Sequence, residues 1–297
     1  MKLATMLIAT VVLSTIAVPA LAQGDAQEVD FDSTEAWALK YFAAVSTFTP
    51  MRAPRLLEPW TVDLTFELNW VPYLSEEDRR VGFGGTKVED LNKVPALARP
   101  RVLVGLPAGF AAELSWLPPV EVSGVKANLV AAAVERPLID RTTWSLGLRA
   151  HGQLGTIEGD FTCPSEVAAQ PAGSDANPYG CESPSKDRST LDYWGVAVTA
   201  GRRVGETGDL HLAIGANSND LEFQVDAITY GFHDRSHLVT DGWTAWVAAG
   251  AGWSLSEKIW VGGELFYSPL EVVRPPNTRS QNDALFNVRA GLRYRVR

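Results

Sequence analysis

Residues 60–70 read WTVDLTFELNW. Trp60, Val62, Leu64, Phe66, Leu68 and Trp70 are apolar, and every residue between them is polar. A strand turns successive side chains to opposite faces, so this stretch has one greasy face and one wet face. A helix would mix both classes on every side. The same period returns in 284–296, where Ala284, Phe286, Val288, Ala290, Leu292, Tyr294 and Val296 alternate with Asn287, Arg289, Gly291, Arg293 and Arg295. It returns in 143–151 and 243–254, and more weakly in 109–117, 193–201 and 258–267.

A soluble antiparallel sheet turns its greasy face inward, whereas a membrane barrel turns it outward. Tryptophan spacing favours the barrel. Trp60 and Trp70 share a face ten residues apart, and Trp243 and Trp253 repeat that spacing. Ten residues at ~3.3 Å, tilted by ~40°, span ~25 Å, the height of an outer-membrane apolar band. Aromatic residues favour both edges of such a band. Trp116, Trp144, Trp194, Tyr267 and Tyr294 also fall at strand ends and complete the expected girdle.

Composition agrees. The 297 residues carry 26 Lys and Arg against 35 Asp and Glu, a formal net charge of −9. An acidic balance argues against nucleic-acid binding, which needs a basic face. Beyond the first twenty residues no apolar run reaches the ~18 of a membrane helix, which excludes a helical bundle. Residues 1–22 read as a secretory signal peptide: Lys2 opens it, Leu7 to Val18 form a short apolar core, and Ala20-Leu21-Ala22 is an A-x-A cleavage site. Loss of Lys2 takes the net charge from −9 to −10. The expected domains are thus a signal peptide at 1–22, an N-terminal leader at 23–59 and a barrel at 60–297.

Strands are expected near 60–71, 99–107, 109–117, 125–134, 142–154, 191–204, 209–227, 241–255, 258–270 and 284–296. The fold class is all-β: a transmembrane antiparallel up-and-down barrel of ten strands, with twelve as the alternative. Within 209–227 the apolar parity changes between Leu210-Leu212-Ile214 and Leu221-Phe223-Val225. A bulge would reset the facing of one long strand; a hairpin at Asn217–Asp220 would add a strand. Ten strands place short turns at Pro107–Gly109, Glu135–Asp140, Gly205–Asp209 and Ser256–Glu257 on one side. Long connections 73–98, 155–190, 228–240 and 271–283 then fall on the other, the rule for these barrels. Asp32 and Glu35 have capping-box-like spacing ahead of a short helix over 32–47, with Trp37, Tyr41 and Phe42 as an aromatic side. That helix could plug the lumen, lie at the rim, or be a leader to the first strand.

Arg289, Gly291, Tyr294 and Val296 resemble the outer-membrane assembly signal of a last strand, which implies recognition by the barrel-assembly machinery. The chain then ends in Arg297 where a terminal aromatic is usual. Gly105-Leu106-Pro107 through Leu114, Leu117-Pro118-Pro119, Leu39-Lys40-Tyr41-Phe42 and Ala290-Gly291-Leu292-Arg293-Tyr294 resemble one family of uncharacterised bacterial outer-membrane β-barrel proteins. The resemblance implies an outer-membrane barrel and assigns no activity.

The two cysteines, Cys163 and Cys181, fall in one long external loop. An exported chain meets an oxidising compartment, so a disulfide is expected. Closing a loop of this size contributes about 3 kcal/mol in the chain-entropy model. A metal site needs about four ligands, and no His neighbours these cysteines in sequence. No cofactor is implied.

His233-Asp234 lies in an external loop, and ten-stranded outer-membrane proteases carry His and Asp at that rim. Such chemistry needs the pair to activate water, and nothing else completes the set. Ser236-His237 lacks the surroundings of barrel deacylases and phospholipases. Gly82-x-Gly84-Gly85 has neither the preceding strand nor the following helix of a phosphate cradle. No catalytic residue is assigned. The polar strand faces put Asp63, Glu67, Glu113, Arg149, Glu264, Arg289 and Arg293 in the lumen. Pairing of the last strand with the first brings Arg289 and Arg293 toward Asp63 and Glu67. Buried charges must be paired or solvated. They would fill a narrow lumen or select solutes as a charged constriction, and ten strands lie near the filled end of the size range. The expected function is a narrow or gated passage for small solutes in the bacterial outer membrane; the alternative is a structural barrel binding a surface partner through its loops. Expected partners are outer-membrane lipids and lipopolysaccharide.

Overall fold

A computed structural model describes residues 25–296 of the chain. The signal peptide expected at 1–22 lies outside the described residues. Ten antiparallel strands form the wall: β1 (Val62–Trp70), β2 (Ala96–Gly105), β3 (Ala111–Leu117), β4 (Val125–Asp140), β5 (Trp144–Gly159), β6 (Asp187–Val204), β7 (Gly208–Gln224), β8 (His237–Ser254), β9 (Ile259–Ser268) and β10 (Leu285–Arg295). Each pairs with its neighbour in sequence. β10 pairs with β1, with Gly291 opposite Glu67, and this seam closes the barrel. Two short additions flank the wall: Gln27–Glu28 runs parallel to β8, and Glu121–Val122 folds onto the start of β4.

Short turns at 106–110, 141–143, 205–207 and 255–258 gather at one end, and the longer connections 71–95, 160–186, 225–236 and 269–284 at the other. The turn expected at Glu135–Asp140 is instead strand. β4 continues past an irregularity at Pro137 and turns only after Asp140. Wall height is uneven. β6 has 18 residues and β3 only 7, because Pro118-Pro119 follows Leu117 and cannot extend a ladder.

The side chains are arranged inside out. On β1, Asp63, Glu67 and Asn69 are buried in the lumen while Leu64, Phe66 and Leu68 are 44–53% exposed on the outside. Val247 and Leu292 also point outward, on the far wall and the seam. Trp60, Trp70, Trp116, Trp144, Trp194, Trp243, Trp253 and Tyr294 are all exposed on the outer face, and Tyr267 is half-buried beside Phe286. Trp194 and Trp243 meet edge to face at 5.3 Å near the loop end.

β7 corrects one expectation. It is a single strand, but it contains no bulge: its pairing with β6 and β8 runs without a register step from Gly208 to Gln224. The parity change has another cause. Leu221 and Phe223 face inward like His211 and Asn217, and the upper lumen there is apolar because a helix occupies it.

That helix, α1 (Thr34–Val45), stands inside the barrel. Its N-cap is Ser33 rather than Asp32: the Ser33 hydroxyl accepts from the Ala36 N–H at 3.2 Å. Glu35 instead reaches Gly84, whose N–H donates to the carboxylate at 2.7 Å. Gly84 needs φ +65°, which glycine adopts freely. α1 is apolar on nearly all sides, as a fully buried helix must be. Trp37, Tyr41 and Val45 pack toward Trp246, Phe266 and Leu270; Leu39 and Ala43 pack toward Leu129, Ile157, Leu191 and Leu221.

Candidate functional site: the occupied lumen

Below α1 the chain descends through the barrel as an extended segment, and residues 43–54 are buried. Its backbone carbonyls are the main acceptors for the wall. Arg289 donates to Thr47 O at 2.6 Å and Arg99 to Ser46 O at 2.9 Å. Arg101 donates to Thr49 O and Asn69 to Val45 O. The Phe48 N–H donates to the Tyr193 hydroxyl at 2.7 Å. The Phe48 ring lies between guanidinium groups, with Arg101 at 4.3 Å and Arg149 at 4.8 Å from its centroid. Desolvated cation–π contacts of this kind are each worth about 2 kcal/mol. At the turn end, Gly201 leaves room for Ala53, and Asp140 accepts the Leu56 N–H at 3.0 Å where the segment emerges.

The wall charges form a connected set. Glu67 pairs with Arg101 at 3.0 Å, Arg101 with Glu113 at 2.9 Å, Glu113 with Arg149 at 2.8 Å, and Arg149 with Glu135 at 3.2 Å. The descending segment adds Arg52, which pairs with Glu135. Thr49 donates to Glu264, which also faces His211 at 3.1 Å and Arg289 at 3.8 Å. Asp63, Glu67, Glu113, Arg149, Glu264 and Arg289 are thus all buried within the barrel. Arg293 is half-buried at the turn end, stacked on Trp260 at 4.6 Å and 3.7 Å from Asp63.

Two pairings differ from expectation. Arg289 and Glu67 lie near the seam, but Arg289 takes Glu264 and Glu67 takes Arg101, because β2 and β9 present closer partners than the opposite seam strand. Asp63 is held chiefly by Arg295 at 2.9 Å. Sequence reasoning missed Arg99, Arg101 and Glu135. The signal for the two arginines was the Arg-Pro-Arg-Val-Leu-Val run at 99–104, where Arg99 and Arg101 sit on the same strand face. Arg52 had no strand pattern to betray it. Of the assembly-signal positions, Arg289 and Gly291 face inward and Tyr294 and Val296 outward.

The loop end is a folded cap. Cys163 and Cys181 are disulfide-bonded, with Cα atoms 5.6 Å apart, and both are buried. A bridge from Cys181 to Thr229 ties this loop to the hairpin at 227–234. His233 does not pair with Asp234. Its Nε2 lies 2.6 Å from Asp226, while Asp234 accepts from Ser236 at 2.6 Å in a local turn. His237 faces Glu222 at 3.4 Å instead of a nucleophile. Among the described residues no group of three or more His, Cys, Asp or Glu is arranged to hold a metal ion.

Two apolar cavities occupy the outer half. A rim cavity of about 320 Å³ lies between α1 and the cap, lined by Val29, Leu39, Phe223, Val225 and Leu238, with Glu35 and Glu89 at its edge. A wall cavity of about 440 Å³ lies beside α1, lined by Val45, Leu97, Leu117, Val125, Ala127 and Ile157. Phe42, Leu91 and Phe161 line both. The Phe42 and Phe161 ring centroids are 5.8 Å apart. The wall volume falls within the ~300–1,000 Å³ of small-molecule pockets.

No protein-family model matches this chain, nor does any curated protein. Among solved structures, the chain is similar to the outer-membrane protease OmpT of Escherichia coli, at 15% identity over 80% of this chain and 94% of that one, with a TM-score of 0.41. It is similar to the toluene transporter TodX of Pseudomonas putida, at 10% identity over 84% and 73%, with a TM-score of 0.34. It is also similar to the attachment invasion locus protein Ail of Yersinia pestis, at 7% identity over 80% and 99%, with a TM-score of 0.32. Likenesses at this level assign neither activity nor cargo. The chain forms a closed ten-stranded antiparallel barrel of the outer-membrane type, with a helix inside it.

Proposed function

We propose that this protein is a bacterial outer-membrane barrel providing a narrow, gated passage for small apolar solutes through its outer half. The carrying observation is that the rim and wall cavities share Phe42, Leu91 and Phe161. Rotation of those side chains would join the two into one apolar path. The barrel axis is an unsuitable route: the segment 43–54 fills it, and its ion pairs would have to be broken and rehydrated. The aromatic outer face supports seating in a lipid bilayer with outer-membrane lipids and lipopolysaccharide around it. Pairing of His233 with Asp226 on an exposed hairpin supports a non-catalytic reading.

Cells making the protein should admit N-phenyl-1-naphthylamine, an apolar dye, faster than cells without it. Leu91→Trp should return entry to the background rate by filling the shared constriction. Planar bilayers should show no steady ion current. Equal dye entry with and without the protein, or a stable ionic conductance, overturns the proposal.

A further inference from the structure

The strand ladder beside the wall cavity is not continuous. β2 pairs with β1 along its whole length, up to Ala96 opposite Trp70. Its pairing with β3 stops at Arg101 opposite Ser115. β3 continues against β4 as far as Leu117 opposite Leu129. Ala96–Pro100 and Trp116-Leu117 therefore face each other unpaired. Pro100 stands where the gap begins, and it has no N–H to offer a ladder. Unpaired backbone facing hydrocarbon is costly, and at membrane depth it is tolerated only where it lines protein or a cavity. Here it lines the wall cavity.

The gap lies within the apolar band. Pro100 is opposite Phe66, which sits between Trp60 and Trp70 on β1. Outward-facing Phe66, Ala98 and Pro100 line the same cavity as inward-facing Leu117, Ala127 and Ile157. One apolar surface thus runs from the lipid face through the wall to the flank of α1. Among the described residues Lys93 is the one charged residue lining the cavity, and its ammonium is held by Asp90 and Asp160, each at 2.9 Å. A buried water needs two to four polar partners, whereas an apolar cavity stays dry and takes hydrocarbon.

We infer that the gap between β2 and β3 is a lateral port, and that an acyl chain of a surrounding membrane lipid enters it to occupy the wall cavity. The inference deepens the passage reading by giving the wall cavity an opening to the bilayer, and its occupancy requires no movement of Phe42, Leu91 or Phe161.

The test uses the full-length protein in vesicles of phosphatidylethanolamine and phosphatidylglycerol containing a phospholipid with a diazirine near the end of one acyl chain. After irradiation, labelled residues are located by mass spectrometry. A second arm replaces the lipid probe with a free diazirine-bearing alkane. The lipid probe is expected to label Leu117, Ala127 and Ile157 in addition to outward-facing Phe66. Ala127→Trp, which fills the cavity, and Ala98→Trp, which blocks its mouth from the lipid side, should each remove the inward labels and keep the outward ones. Retention of the folded band in unheated electrophoresis checks both variants. Labels confined to outward-facing residues, inward labelling unchanged in both variants, or inward labelling by the free alkane alone overturns the inference. The dye-entry result stands or falls separately, since it depends on Leu91 and the rim.

Discussion

Arg149 has no exposed side-chain surface and holds two carboxylates, Glu113 and Glu135. Its neighbours in the chain of charges are equally dry, so each group relies on the next for the solvation it has lost. Such a set does not by itself make a fold more stable than an apolar filling would. It does make single losses expensive. Arg149→Met should leave two buried carboxylates short of a partner and destabilise the barrel by about 3–5 kcal/mol. Denaturant unfolding from lipid vesicles measures this. Adding Glu113→Gln should recover part of the loss, because the two residues share one network and their effects are not additive. A double variant whose loss equals the sum of the singles would show that the charges act independently. Phe48 contributes to the same region in a different way: it places a ring among guanidinium groups that the wall cannot otherwise separate.

The loop 71–95 closes the rim cavity, and Glu89 is its sensitive point. Burial pushes the Glu89 carboxyl up to about 7, against the pull of Lys87 at 2.9 Å, with Asp187 and Asp234 adding to the rise. Lys87 is itself anchored to the Thr162 carbonyl across the cap. A raised carboxyl binds its proton more tightly in the folded loop than in the unfolded one. Local stability therefore falls as pH rises from about 4.5 to about 7 and is level above that. The span corresponds to at most about 3 kcal/mol. Hydrogen exchange of the amides at 87–91, corrected for intrinsic rate, should show protection lost across that window. Glu89→Gln should flatten the profile, and an unchanged slope in that variant would assign the effect elsewhere. Elements of the barrel wall were legible in the sequence because membrane and lumen impose opposite polarities on alternate residues, as in 60–70 and 284–296. This legibility failed where the lumen itself turned apolar. Leu221 and Phe223 read as a bulge because their inward partner is α1, which alternation along a strand cannot report. The candidate site was legible in half: Asp63, Glu67, Glu113, Arg149, Glu264, Arg289 and Arg293 stood out on their strands, Arg99, Arg101 and Glu135 did not, and Arg52, Phe48 and the carbonyls of 44–49 belong to a segment with no period to read.

The chain traverses its own barrel before it begins to build the wall. Gln27 and Glu28 lie against Leu238 and Val239 at the loop end, and Asp32 O accepts the Val273 N–H there. Residues 34–54 occupy the lumen, and the Trp60 N–H reaches Gly105 O at the turn end. The most non-local pairing, β10 on β1, then closes the wall around this segment. Short turns lie on the periplasmic side of such barrels and long loops outside, so residues 25–33 should face the cell exterior although they precede every strand. A membrane-impermeant maleimide tests this on intact cells, since Cys163 and Cys181 are bonded to each other and offer no thiol. Gln27→Cys should be labelled from outside. Thr207→Cys and Ser256→Cys, in the short turns, should react only after the outer membrane is permeabilised. Labelling of the turn cysteines on intact cells would reverse the orientation of the barrel. Labelling of Gln27→Cys only after permeabilisation, with the turn cysteines protected on intact cells, would mean that the N-terminal segment enters the lumen from the periplasm.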